Sequence, residues 1–186
     1  MKIISLPAYN DDICALKTGD VFFLKGALVT GRDEVYRRVV YDDIMPPVCL
    51  KDMAIYHAGP IVKKNVDNFE LVSIGPTSSI RMEKSACDFI KKTGVKIMIG
   101  KGAMGEKTES ACREYKAIHC VYPGGCAVLG ASQIEKIENC FWSELGMAEC
   151  IWVMRTRLFG PLIVSIDTRG NNIFTENKSR ENINIL

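Results

Sequence analysis

Four glycine-rich stretches each follow an apolar run: Thr30-Gly-Arg-Asp33, Gly75-Pro-Thr-Ser-Ser-Ile-Arg81, Gly100-Lys-Gly-Ala-Met-Gly105 and Pro123-Gly-Gly125. Three of them carry the cations Arg32, Arg81 and Lys101, and the second also carries the hydroxyls Thr77 and Ser78. In α/β sheets, ligands collect beyond the carboxyl ends of the strands. Glycine lets backbone N–H groups approach such a ligand, and helix N-termini favour anions. The arginine fork binds a carboxylate through two parallel hydrogen bonds. Two arginines and a lysine on such loops therefore point to a small molecule with two carboxylates, or to a phosphate.

Gly100-Lys-Gly-Ala-Met-Gly105 has the G-x-G-x-x-G spacing of a dinucleotide-binding turn. That fold also needs an acidic residue about 20 positions on, to hold the ribose. Here that point is Tyr122-Pro-Gly-Gly125, and the next acid is Glu135, so the dinucleotide reading is disfavoured. Histidine is scarce, with His57 and His119 alone, which makes a Ser-His-Asp or Cys-His arrangement hard to build. His57, beside Gly59-Pro60, is a possible site residue. An isolated histidine at a strand end is more often a hydrogen-bonded structural one.

Eight cysteines are present, at 14, 49, 87, 112, 120, 126, 140 and 150, and no two are separated by two residues. Neither a zinc-ribbon nor a ferredoxin spacing exists, so no metal is expected on this chain alone. No secretory signal is visible at Met1–Asp12, and the thiols are read as reduced, packed side chains in a cytoplasmic protein.

These loops need a scaffold. Val21–Val29 reads as a strand bulged at Gly26, and Glu34–Val40 as a short helix with an acidic start. Ala54–Ala58 and Glu70–Ile74 read as strands. From Ser79 the pattern becomes βαβ, with a helix through Met82, Ala86, Phe89 and Ile90 that stops at Gly94. A strand at Val95–Ile99, a helix at Glu106–Lys116, a strand at Ala117–Tyr122 and a helix start at Gly125–Ala131 follow. Ile151–Arg157 and Pro161–Asp167 read as two strands joined through Phe159-Gly160. The whole describes one α/β domain over residues 1–186, with a mixed sheet or two sheets. Its ordered core spans about 17–178, and Glu176–Leu186 forms a polar tail.

The chain has 186 residues, 47% hydrophobic and 25% charged, enough for an ordinary globular core. With 24 basic against 22 acidic residues, it lacks the basic footprint of a nucleic-acid binder. The longest uncharged run, Ala117–Ile134, contains His119, Pro123, Gly124, Gly125, Ser132 and Gln133, so it reads as strand, turn and helix and not as a membrane span.

Taken in order, Tyr56-His-Ala-Gly-Pro60, Gly75–Met82, Gly100-Lys-Gly102, Gly124-Gly125 and Phe159-Gly-Pro-Leu-Ile-Val-Ser-Ile-Asp167 resemble the β-subunit of two-subunit L(+)-tartrate dehydratases. The same pattern is similar to the C-terminal domain of class I, iron–sulfur fumarases. The resemblance covers about Lys17 to Lys178. It implies a swivelling β/β/α three-layer domain with a central parallel sheet and a second antiparallel sheet. It implies reversible loss of water from a 2-hydroxy dicarboxylate, L(+)-tartrate to oxaloacetate as the first reading and malate to fumarate as the second. A four-iron four-sulfur cluster would be held by a partner α-subunit, in an α2β2 assembly, and this chain would be active only with that partner.

By the same resemblance, Thr77 matches the catalytic base, and Arg32, Arg81 and Lys101 match contacts to the substrate carboxylates. Ser78 stands where the family usually has a second threonine, and Tyr36 where it often has histidine. His57 sits at a position more often aromatic in fumarases, which favours the tartrate reading. A stand-alone small-anion-binding module is the remote alternative.

Overall fold

Short apolar runs cut by glycine and proline fix strands, and three-to-four apolar spacing fixes the helices between them. The computed structural model describes residues 1–64 and 69–175. In chain order its elements are β1 (Lys2–Ser5), α1 (Asn10–Cys14), β2 (Val21–Thr30), α2 (Asp33–Val40), β3 (Ala54–Tyr56), β4 (Ile61–Lys64) and β5 (Phe69–Ser73). They continue with α3 (Glu83–Thr93), β6 (Ile97–Gly100), α4 (Glu106–Tyr115), β7 (Ile118–Val121), α5 (Ala127–Ser132), β8 (Ile134–Phe141) and β9 (Ile151–Ile166). One turn of 3-10 helix, Ser79–Met82, leads into α3. The expected polar tail lies outside the described residues.

Strands β1, β2, β3, β6 and β7 are parallel neighbours in that order. Strand β9 runs antiparallel to β7 along one edge and to β2 along the other. This closes β2, β3, β6, β7 and β9 into a ring of five strands. The remaining edge of β9, from Ile151 to Thr156, is taken by β8. Strands β4 and β5 form a separate two-stranded antiparallel sheet.

Side chains alternate along each strand, so the ring has two apolar faces. Tyr56, Ile97, Ile99, Ile118, Cys120 and Phe159 belong to the cluster on one face. Ile55, Met98 and Ile166 belong to the other, which is packed under Val35, Tyr36 and Val39 of α2, Ala86, Phe89 and Ile90 of α3, and Ala111 and Cys112 of α4. Each fully buried Ile or Phe contributes roughly 1.5–3 kcal/mol. Gly94 ends α3 in the left-handed conformation, at φ +69°, where glycine carries no steric cost.

The mixed α/β architecture and the second antiparallel sheet are present, but the parallel sheet is not an open central layer. It curls shut on β9. Phe159-Gly160 is no hinge between two strands, because β9 runs through it without interruption. Gly160 at φ +152° and register shifts opposite Phe22 and Leu24 absorb the irregularity within the ladder. The ordered core also begins earlier than residue 17, since Lys2–Ser5 pair in register with Phe22–Lys25.

Candidate active site

The parallel strands end side by side, so the loops after β2, β3 and β6 meet. The Thr77 N–H donates to the His57 carbonyl (2.7 Å), the Lys101 N–H to the Thr77 carbonyl (3.0 Å) and the Ser79 N–H to the Lys101 carbonyl (2.9 Å). Ser78 and Lys101 form a parallel bridge. The 75–81 loop is thereby zipped onto the end of β6 like a short extra strand. The fourth loop lies alongside, for a Cβ on Gly124 would stand 3.4 Å from the Lys101 side chain. All four glycine-rich stretches thus gather at one end of the ring.

Arg32 leads from β2 into α2, and Arg81 lies on the 3-10 turn. Asp33 joins them. Its Oδ2 accepts from Arg32 Nε at 3.2 Å and from Arg81 Nη2 at 2.5 Å, while Oδ1 accepts from Arg81 Nε at 2.9 Å. With that edge of the guanidinium held, Arg81 Nη1 donates to Thr77 Oγ1 at 3.3 Å. On the far side, Glu149 Oε1 stands 2.8 Å from Arg32 Nε, and its Oε2 accepts the Glu34 N–H at 3.1 Å. Gly59 makes room, since a Cβ there would lie 2.9 Å from Arg32 Nη1. Lys101 is exposed and forms no ion pair among the described residues. Nor does the Ser78 hydroxyl make a hydrogen bond among them.

Three cations against two carboxylates leave the loops with one positive charge in excess. Arg81 is 45% exposed, so its pair with Asp33 adds at most about 1 kcal/mol to stability. Its effect is to aim the guanidinium.

His57 behaves differently from the surface cations. It is fully buried, with Nε2 hydrogen-bonded to the Tyr36 hydroxyl (2.8 Å) and Nδ1 to Ser79 Oγ (2.9 Å). Burial pushes the imidazole down to about 3, so it is neutral, and a neutral ring satisfies both contacts as one donor and one acceptor. It ties α2 to the 75–81 loop. Ser79, the first residue of the 3-10 turn, directs its hydroxyl to His57. Gly100 is what lets it: a Cβ there would fall 1.9 Å from Ser79 Oγ and 3.0 Å from His57 Nδ1.

The G-x-G-x-x-G turn is also occupied from within. Glu83 Oε2 accepts from the Gly105 N–H (2.8 Å) and Thr108 Oγ1 (2.5 Å), and Oε1 accepts from the Lys107 and Thr108 N–H groups (3.1 and 3.3 Å). A carboxylate thus sits at the start of α4, where a dinucleotide would place its pyrophosphate.

Sequence reasoning did not single out Asp33, Glu149, Tyr36 or Glu83 for the roles these contacts give them. Asp33 was adjacent to a motif cation and in that sense discoverable. Among the described residues, no group of three or more His, Cys, Asp or Glu side chains is placed to hold a metal ion, so the side chains described here do not fit an iron–sulfur cluster. Among them no helix is long and apolar enough to cross a membrane.

The profile of the family described as Fumarase C-terminus matches residues 2–177. The chain is 52% identical to the L(+)-tartrate dehydratase subunit beta of Escherichia coli K12 over 177 residues, 95% of this chain and 88% of that one. It is 39% identical to a Methanocaldococcus jannaschii protein with the provisional name L(+)-tartrate dehydratase subunit beta, over 89% of this chain and 87% of that one. It is 36% identical to a Geobacillus stearothermophilus protein provisionally named fumarate hydratase class I, over 92% of this chain and 34% of that one.

Proposed function

The chain belongs to the Fumarase C-terminus family, and on that premise we propose that it is the β-subunit of a hydro-lyase that dehydrates L(+)-tartrate to oxaloacetate. The 52% identity along nearly the whole chain supports tartrate over malate and fumarate, which form the second reading. The chain works as one cytoplasmic domain, in an α2β2 assembly whose α-subunit holds a four-iron four-sulfur cluster. That cluster would supply Lewis-acid activation of the departing hydroxyl. We assign the domain to the swivelling β/β/α three-layer type.

The residues of this chain bind and deprotonate. Arg32, Arg81 and Lys101 take the two carboxylates, and Ser78 lines the same loop. Holding the substrate by both ends orients it, which contributes up to about 7 kcal/mol of barrier lowering. Thr77 Oγ1 takes the proton from the carbon next to the one that loses hydroxyl. A threonine hydroxyl is a weak base, so its deprotonated form needs a cation beside it in a site shielded from water. Arg81 Nη1, 3.3 Å away and held by Asp33, is that cation. This contact is the observation that carries the reading.

The test is an anaerobic pull-down of the tagged chain from its host, with the eluate assayed on L-tartrate and L-malate. A brown complex with a second subunit that prefers tartrate is the expected result. Preference for malate moves the assignment to fumarase. A colourless, lone, inactive chain from active cells leaves the anion-binding module.

A further inference from the structure

Away from the four loops, a cavity of about 340 Å³ opens between the β4–β5 sheet and the β8–β9 connection, lined by Val62, Phe69, Cys140, Met147, Cys150 and Trp152. Two of these side chains are thiols in contact. Cys140 S–H donates to Cys150 Sγ at 3.7 Å, and Cys150 S–H donates to the Met147 carbonyl at 3.5 Å. Cys140 lies on β8, opposite Trp152 on β9, and Cys150 immediately precedes β9. We propose that Cys140 and Cys150 form a reversible dithiol–disulfide site, oxidised by diffusible low-molecular-weight disulfides that enter this cavity.

Three features argue for it. The sulfurs need to close from 3.7 Å to the bonded separation of about 2.05 Å, and Cys150 stands on an irregular connection that can supply the movement. Cys140 is half-buried at the cavity wall, whereas Cys150 is 2% exposed, so an incoming disulfide meets Cys140 first. The Cys150 thiol is pushed up to about 12 by burial and by Cys140, which makes it the slower, resolving sulfur.

The reaction has two balanced exchanges. The Cys140 thiolate attacks R–S–S–R, forming Cys140–S–S–R, and the displaced thiolate takes up the proton that Cys140 gave to water. Cys150 then gives up its proton, and its sulfur attacks the Cys140 sulfur, closing the internal disulfide and releasing the second R–SH. The two cysteine sulfurs are oxidised by two electrons in all, and the entering disulfide is reduced by two. Glu149, the contact of Arg32, directly precedes Cys150 in the chain.

The full chain is reduced, incubated with oxidised glutathione, alkylated and digested for mass spectrometry. The expected product joins the 140 and 150 peptides with loss of two hydrogens and reopens with a dithiol reductant. Cys150→Ser is expected to stop with one glutathione on Cys140, and Cys140→Ser to leave Cys150 reduced. The proposal is overturned if the unaltered chain keeps both thiols, stops at a stable glutathione adduct, or joins either cysteine to a different one. Because the decisive measurement uses the unaltered chain and needs no partner or activity, it stands apart from the hydro-lyase reading.

Discussion

Asp33 grips Arg81 with both carboxylate oxygens, at 2.9 Å from Nε and 2.5 Å from Nη2, and so leaves Nη1 facing Thr77. The pair is too exposed to matter much for folding. Asp33→Ala is therefore expected to shift the unfolding midpoint in denaturant very little. In the assembled enzyme it should lower kcat/KM by about 10- to 100-fold, the usual cost of losing a group that orients a binding residue. A variant with unchanged kcat/KM would show that Arg81 is aimed without it.

Thr77→Ala removes the oxygen that Arg81 addresses. In steady-state kinetics of the assembled enzyme, kcat is expected to drop by at least about 100-fold, with KM changed far less. Thr77→Ser, which keeps the hydroxyl, should recover most of the rate. Equal losses in both variants would mean that the methyl group matters and the hydroxyl does not.

Both histidines make stability depend on pH. Burial holds His57 near 3, and burial together with His57 holds His119 near 3, against an ordinary value of 6.5. Between these values the unfolded chain binds protons that the native chain refuses, so stability falls as pH drops from 6.5 toward 3. The slope reaches about 1.4 kcal/mol per pH unit for each histidine. His119 offers the cleaner probe: Ser165 holds its Nδ1, and Nε2 has no partner among the described residues. His119→Gln should flatten Tm against pH between 5 and 6.5. A slope equal to that of the original chain would assign the acid sensitivity elsewhere.

Gly100→Ala is expected to destabilise the chain by about 1–3 kcal/mol, the range for overpacking a closed site. The new methyl would strike Ser79 Oγ first. Adding Ser79→Ala should return part of the loss, because the shortest clash goes with the hydroxyl, while the His57 ring still crowds the site at 3.0 Å. Denaturant unfolding of the single and double variants measures both effects. Additive losses would place the strain on other neighbours.

Local chemistry made much of this legible. Thr30-Gly-Arg-Asp33 and Gly75–Arg81 announced themselves because glycine, cation and hydroxyl lie within a few positions of one another, and the parallel strands then bring the loops together. Glu149 gave no such sign, since it reaches Arg32 and the α2 amide from 115 positions beyond Glu34. Glu83 was hidden by direction: the acid that fills the Gly105 turn lies 22 positions before it, whereas a dinucleotide site needs one after it. Strand β8, with Glu135, Lys136, Glu138 and Asn139, has too little apolar alternation to be seen as a strand, and its place comes from pairing with β9. The curling of the sheet was invisible for the same reason. Pairing partners are a property of the whole chain, and local composition gives no measure of them.

Closure of the ring by β9 sets an order of events during folding. The Thr30 hydroxyl accepts the Trp152 N–H from 122 positions away, and the β2–β9 ladder extends that contact along both strands. Loop-closure entropy makes such distant pairing late and slow. While the chain is being synthesised, β2 through β7 can assemble, but the β2 edge must wait for residues 151–166 to emerge. An unpaired edge beside an apolar face invites pairing with other nascent chains, so this protein passes through its most aggregation-prone state just before its longest strand arrives.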